Sequence, residues 1–391
     1  MGVIVLLAVG YSAWALVRPL PLIVPRVVAL PPVTAGVSNS LAWPSQGQAA
    51  VGINPSGVLA LHGDEQPVPI ASTAKVLTAL MVLKKHPLAL RQSGPKILIT
   101  ADDVRLYDNY LASNGSVTAV ADGETLTQYQ MLQAILLPSA NNIADSLAIW
   151  AFGSLTNYAS FANNYSRQLG LTHTHVGSDA SGFDPSTVST AHDLVLIGEA
   201  AMQDPVLAEI VGQSSASVPV AGTIQNVNGL LGTNGIVGVK TGNTDQAGGV
   251  FLAAQQAIIS GKSLVLISAV VGTPTLFDAM KSSLPLLDSA QHNFTRTHLV
   301  TAHTTIGSYA APWGSTTTAI TAGSIASVVW NGSTVTPIVD LQTLSVPAKA
   351  QTMTGTLRLP QSTFGPALTA SVVTTTALGR PSWLWRLTHP V

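Results

Sequence analysis

Near His292 the pattern of the chain changes. Before that point, runs with helical spacing alternate with short apolar strands. After it Thr, Val, Ser and Gly dominate, in short alternating segments such as 317–329, 333–339 and 368–373, and no run has helical spacing. One repeating architecture cannot satisfy both patterns. They predict a mixed α/β body followed by a small all-β domain. The 391 residues are enough for two cores.

In the first body, residues 48–53 and 57–62 read as strands joined by Asn54-Pro55-Ser56, a hairpin signature. Residues 72–85 carry Val76, Leu77, Leu80 and Leu83 on one helical face. Residues 127–137 predict a second helix, stopped by Pro138, and 141–152, 190–201 and 274–287 predict three more. Residues 236–239, 249–254 and 263–271 are strand-like, the first two being antiparallel neighbours across 243–248. The expected body is therefore α/β (α+β), an antiparallel sheet flanked by helices.

Residues 2–17 contain no charge, and Arg18 follows. The run falls short of the ~20 residues a spanning helix needs, and fits a signal segment or a short anchor, with Ala13-Trp14-Ala15 as a weak cleavage site. A basic leader is missing, and Arg18 and Arg26 both follow the run, which by charge asymmetry alone favours a cytoplasmic body. Our expectation is instead that the true start lies upstream of the recorded one. Six prolines between 19 and 44 mark an extended spacer. The expected division is 1–45 for leader and spacer, 46–292 for the mixed body, and 293–391 for the β-rich domain.

Composition narrows the function classes. Charged residues are 9% of the chain and the formal net charge is −1, so there is no basic footprint for nucleic acid. Cysteine is absent, which excludes disulfides, a thiolate nucleophile and Cys-based metal sites. His173-Thr174-His175 lies in a polar loop with Asp179, but no Cys and no HExxH pattern supports a metal site; the pair reads as surface or loop-packing histidines, and neither metal nor cofactor is expected. His192 and Asp193 are explained by a helix start, with Thr190 as N-cap and Asp193 as its capping-box partner. Trp383 and Trp385 are expected to pack on the β domain.

Three short motifs carry chemistry. Ser72-Thr73-Ala74-Lys75 places a hydroxyl and an amine three residues apart, on one face of the predicted helix. A serine hydroxyl is a poor nucleophile until a base takes its proton, and a lysine partly neutralised by burial or by nearby positive charge is such a base. Ser93-Gly94-Pro95-Lys96 has the same spacing, but Pro95 argues against a helix there. Ser139-Ala140-Asn141 follows Pro138 at a predicted helix start; the hydroxyl suits proton relay and the amide suits a carbonyl, although Ser139 alone is equally an N-cap. Lys240-Thr241-Gly242 ends a predicted strand. Lysine and threonine suit a carboxylate, and Gly242 leaves room for a substrate backbone along the strand edge.

Together the three match the serine, Ser-x-Asn and Lys-Thr-Gly set of penicillin-recognising enzymes. The chain resembles the D-alanyl-D-alanine carboxypeptidases, the low-molecular-mass penicillin-binding proteins of the serine β-lactamase/DD-peptidase superfamily. The resemblance rests on ASTAKVLTALM (71–81), MLQAILLPSANNIA (131–144) and GVKTGNTDQAG (238–248), and extends over roughly 48–290. It implies Ser72 as the acylated nucleophile, Lys75 as its base and Ser139 as proton relay. It implies that Asn141 contacts the substrate amide and that Lys240 and Thr241 hold its carboxylate. Gly242 lies on the binding strand, and the backbone N–H groups of Ser72 and Asn243 form the oxyanion hole. The implied substrate is a peptidoglycan stem peptide ending in D-Ala-D-Ala, with β-lactams as covalent inhibitors. The implied place is outside the cytoplasm, secreted or held to the membrane by the N-terminal segment, in cell-wall metabolism and cell shape.

Two alternatives stay open at this level. A β-lactamase needs rapid deacylation, and Glu65, Glu124, Glu199 and Glu209 all lie outside 142–189, where a class A enzyme would carry its deacylating glutamate. A penicillin-recognising or wall-binding protein without turnover would have no need of Lys75.

Overall fold

The computed structural model describes residues 2–359 and 367–389. They form two compact units, one of Asn39–Asn293 and the other built from the segments before and after it.

The 39–293 unit begins with the hairpin of β1 (Gln48–Asn54) and β2 (Gly57–His62). Helix α1 (Ala74–Lys85) follows, then α2 (Ala101–Ala112), α3 (Gln128–Leu136), α4 (Asn141–Phe152), α5 (Leu155–Gln168) and α6 (Ala191–Gln203). Strands β3 (Ile236–Thr244), β4 (Gly248–Ile259) and β5 (Lys262–Thr273) come next, and α7 (Leu276–Gln291) closes the unit. The sheet has the order β3-β4-β5-β1-β2 and is antiparallel throughout. Its first strand, β3, is paired on one side only, which leaves one edge of that strand open.

Alternation along β4 separates two layers. Leu252 and Ala254 belong to the main core with α1, α3, α4 and α6, whereas the buried Phe251 and Ala253 point the opposite way, toward the α7 side. Helix α1 is the centre of the main core. Ala74 to Ala79 and Met81 to Leu83 are all buried, so apolar and small residues surround the helix instead of forming one stripe. Lys84 and Lys85 occupy its last turn, where they suit the helix dipole.

The predicted helices and strands of this unit are present, with differences that have local causes. Helix α2 has a capping box of Thr100 and Asp103, and α5 is capped by Ser154; both were missed, although Leu155, Tyr158, Ala162 and Tyr165 line one face of α5 at helical spacing. Helix α7 runs past Leu287 to Gln291 and contains Pro285. Thr190 caps α6 by accepting from Asp193 N, but the Asp193 carboxylate does not complete a box. Its Oδ2 accepts from His173 N and Thr174 Oγ1, tying down the 173–174 loop, while the His173 and His175 side chains are exposed. Residues 96–98 are a short strand, so Ser93 and Lys96 do not share a helix face.

The other unit is mainly β, with a six-stranded antiparallel sheet ordered 25–27, 305–310, 316–321, 368–374, 353–359, 338–341. The expected 317–329 strand is two strands, 316–321 and 325–330. The 18–45 segment is not simply a spacer: Pro25–Val27 pairs with Gly307–Tyr309, and Ile23 and Ala35 are buried in this unit's core. A helix, Trp383–Thr388, was not predicted. Trp385 packs edge-on to Trp313 at 5.3 Å, as expected, but Trp383 is 66% exposed. The N-terminal helix Gly2–Val17 packs against this short helix, and Tyr11 donates to Leu387 O at 2.8 Å. No helix among the described residues is long and apolar enough to cross a membrane.

Candidate active site

Ser72 lies in a 3-10 turn, Ala71–Thr73, that leads directly into α1, one step earlier than the continuous helix expected from sequence. Lys75 follows in the first turn of α1. Its Nζ donates to Ser72 Oγ at 2.8 Å, to Asn141 Oδ1 at 2.6 Å and to Ser181 O at 3.0 Å. Two of these acceptors are carbonyl oxygens, which never donate. A neutral amine therefore spends its two N–H groups on Asn141 and Ser181 and turns its lone pair toward the Ser72 hydroxyl.

Lys75 is completely buried. Desolvation lowers its pKa from 10.5 to about 7, while the charges of Asp179 and Asp145 limit the fall. At neutral pH a large fraction of the amine is free to accept a proton.

Asn141 is the first residue of α4, and its backbone N–H donates to Ser116 O at 2.7 Å. The N-cap of this helix is Ala140, so capping does not explain Ser139. Ser139 is nearly buried and adopts φ +70°, a left-handed conformation uncommon for a residue with a Cβ. Ala71, next to Ser72, also has a positive φ, +46°. Strain of this kind concentrates where surrounding structure must hold a side chain in place.

Lys240, Thr241 and Gly242 lie on β3, the edge strand, paired with Leu252, Phe251 and Val250. Gly242 sits against the turn that carries Ser72: a Cβ there would lie 2.9 Å from Ile70 O and 3.2 Å from Ser72 N. The close approach predicted for a substrate backbone is made in part by the protein itself. Lys240 is 1% exposed and donates to Thr241 O at 3.2 Å. Burial, followed by the charge of Lys75, holds its pKa well below the usual value. Asn243, next along the strand, is exposed.

The structure thus joins Ser72, Lys75 and Asn141 by hydrogen bonds and brings Gly242 against Ser72. Ser139, Lys240 and Thr241 make no hydrogen bond to those residues among the described residues. A groove of about 620 Å³ adjoins the site, bordered by Tyr110, Asp179, Phe183, Asp184, Asn243 and Asp245.

Sequence reasoning missed the loop that supplies the third acceptor. Asp179 Oδ1 accepts from Gly182 N at 3.0 Å, and Oδ2 accepts from Ser181 Oγ at 2.7 Å, Phe183 N at 3.0 Å and Asp184 N at 3.2 Å. Gly182 has φ +72°, and a Cβ there would lie 2.1 Å from Ala71 O, so only glycine lets this loop close on the turn that carries Ser72. Thr78, one turn along α1 from Lys75, donates to Ala180 O at 2.6 Å. The signal in the sequence was a run of small residues after an aspartate, Asp179-Ala180-Ser181-Gly182, which is common in ordinary turns.

A family model described as D-alanyl-D-alanine carboxypeptidase matches residues 40–275. The chain is 34% identical over 230 residues to D-alanyl-D-alanine carboxypeptidase DacB2 of Mycobacterium tuberculosis, an alignment covering 57% of this chain and 74% of that protein. It is 30% identical over 224 residues to D-alanyl-D-alanine carboxypeptidase DacA of Escherichia coli, covering 56% of this chain and 53% of that one. The chain therefore spans between half and three quarters of the length of these relatives. Among solved structures, the D-alanyl-D-alanine carboxypeptidase of M. tuberculosis superposes with a TM-score of 0.55 at 29% identity, covering 66% of this chain and 95% of that one. Penicillin binding protein 5 of Haemophilus influenzae has a TM-score of 0.61 at 21% identity, covers 88% of this chain and 99% of its own, and carries the likeness of fold beyond the 39–293 unit. With its family model, its fold and its three motifs in agreement, this chain belongs to the D-alanyl-D-alanine carboxypeptidase family.

Proposed function

We propose that the chain is a serine-type D-Ala-D-Ala carboxypeptidase that removes the terminal D-alanine of peptidoglycan stem peptides and is acylated by penicillins. The observation that carries this reading is the completely buried Lys75, 2.8 Å from Ser72 Oγ and oriented by two carbonyl acceptors.

Ser72 Oγ attacks the carbonyl carbon of the penultimate D-alanine as its proton passes to Lys75. The backbone N–H groups of Ser72 and Asn243 stabilise the oxyanion, a contribution worth ~2.7–4 kcal/mol per donor. The C–N bond then breaks, and the proton returns from Lys75 through Ser139 to the leaving amine. Water attacks the resulting ester, gives its proton to Lys75, and releases the shortened peptide with Ser72 restored. Lys240 and Thr241 bind the terminal carboxylate, an anion for buried Lys240, which makes no ion pair among the described residues. The substrate backbone lies along the open edge of β3, a strand-addition mode, and Asn141 contacts its amide.

A β-lactamase reading would require a base beside the ester for fast deacylation. The carboxylates near Lys75 are poorly placed for that task. Asp179 already accepts five hydrogen bonds, and Asp145 accepts from Tyr110 and Ala180.

The chemistry is assigned to the 39–293 unit and an accessory role to the β-rich unit, outside the cytoplasm and in cell-wall metabolism and cell shape. The N-terminal helix exposes Ile4, Leu6 and Leu7 at 68–74%, which supports association with a membrane surface. Flotation with anionic vesicles checks this point: loss on deletion of 2–17 is expected, and unchanged flotation refutes it.

The central test is D-alanine release from diacetyl-Lys-D-Ala-D-Ala, together with intact mass after benzylpenicillin. Release and one adduct on Ser72 are expected. Release no greater than that of Ser72→Ala would overturn the carboxypeptidase reading, and rapid sustained nitrocefin turnover would favour a lactamase.

A further inference from the structure

The proposed mechanism leaves a buried carboxylate unused. Asp145 is 2% exposed and lies on α4, four residues after Asn141 and so on the same helix face. It makes no ion pair among the described residues. Its Oδ1 accepts from Ala180 N at 2.9 Å, and its Oδ2 accepts from Tyr110 OH at 2.7 Å. Tyr110 also reaches Asp179 Oδ2 at 3.4 Å and meets Phe183 edge-on at 5.6 Å.

A single helix face therefore serves Lys75 twice. Asn141 supplies one carbonyl acceptor directly. Asp145 grips Ala180, the residue before Ser181, whose backbone carbonyl is the other acceptor. We propose that Asp145 is a positioning residue of the acyl-transfer step: held by Tyr110, it fixes through Ala180 the Ser181 carbonyl that orients Lys75. The inference rests on the acyl-serine reading given above.

Burying a carboxylate is costly, and an apolar side chain would fill this space without that cost. What Asp145 adds is a bond to the loop and a negative charge behind the lysine. The titratable groups of this cluster are Asp145 on α4, Asp179 on the loop, Tyr110 on α2, Tyr158 on α5 and Lys240 on β3. The two aspartates raise the pKa of Lys75 against its desolvation. Removing the Asp145 charge therefore lowers it further, and Lys75 stays neutral to lower pH.

The experiment compares full-length wild type, Asp145→Asn and Asp145→Ala by stopped-flow acylation with a fluorescent penicillin across pH 5–9. The amide of Asp145→Asn still accepts from Ala180 N but carries no charge. Its acidic limb is expected to move to lower pH by about half a unit or more. Asp145→Ala loses the loop bond as well, and its limiting acylation rate is expected to fall about tenfold or more, with the penicillin dissociation constant nearly unchanged. An unmoved acidic limb in Asp145→Asn, or a wild-type rate in folded Asp145→Ala, overturns the proposal. If Asp145→Ala fails to fold, Tyr110→Phe, which removes the bond that holds Asp145, decides: a wild-type limiting acylation rate in it overturns the proposal. Wild type that is not acylated at all removes the acyl-serine reading, an outcome distinct from variants that behave like wild type.

Discussion

Lys75 Nζ donates to Asn141 Oδ1 at 2.6 Å, and this bond joins the first motif to the second. A Cβ added at Gly115 would lie 2.7 Å from Asn141 Nδ2, so the amide that orients the lysine has little room to move. Gly115→Ala is expected to displace it and slow penicillin acylation about tenfold, because the geometry of a base controls its efficiency. Equal acylation rates in the variant and wild type would show that the amide tolerates the shift.

The pH profile follows from the Lys75 pKa of about 7. Only the neutral amine accepts the Ser72 proton, so acylation falls about tenfold per unit below that pH and is level above it until another group intervenes. Lys75→Arg carries a guanidinium that stays charged, and is expected to lose at least ~10² in rate at every pH. An acidic limb near pH 4 would point to a carboxylate as the base.

Ser139 is held at φ +70° with no capping duty. Glycine adopts that conformation freely. Ser139→Gly is therefore expected to keep wild-type stability or gain up to ~1 kcal/mol, while turnover of the D-Ala-D-Ala peptide falls ~10²-fold or more. Thermal unfolding and D-alanine release measured on the same preparation check both halves; unchanged turnover would remove Ser139 from the relay.

Glycine has the opposite meaning at 182. A Cβ there meets Ala71 O at 2.1 Å and Ala74 Cβ at 2.7 Å, on a backbone with φ +72°. Gly182→Ala is expected to push the 179–184 loop off the turn that carries Ser72, cost ~1–3 kcal/mol of stability, and nearly abolish acylation. Wild-type acylation would mean that the loop closes without glycine.

Lys240 is buried and makes no ion pair among the described residues. Lys240→Ala is expected to raise KM for the carboxylate-ended peptide by ~10–100-fold, the worth of a hydrogen bond to a charged group. A substrate ending in a C-terminal amide is expected to lose far less. Equal losses for the two substrates would place the carboxylate elsewhere.

Much of this site was legible in the sequence because its parts are local. Ser72 and Lys75 are three residues apart on one turn, Asn141 opens a helix just past Pro138, and Lys240-Thr241-Gly242 ends an apolar strand. Helical spacing and proline stops mark these places in one dimension. Helix α2 and the 179–184 loop were less visible, since a capping box and a run of small residues occur in many settings without chemistry.

Other features belong to the tertiary structure alone. Ser181 O reaches Lys75 across 106 positions of sequence, and Asp145 acts on it through Ala180. The lowering of the Lys75 pKa requires complete burial, which no motif encodes by itself. Gly242, read from sequence as room for a substrate backbone, lies against the Ile70–Ser72 backbone of the protein itself. The 25–27 segment, which reads as part of a spacer, became a strand because it pairs with residues near 308. Sequence determined which groups this protein carries and the short-range faces they share. Their distances, and the desolvation that lowers the pKa of Lys75, depend on distant segments packing together, and only the folded chain decides those.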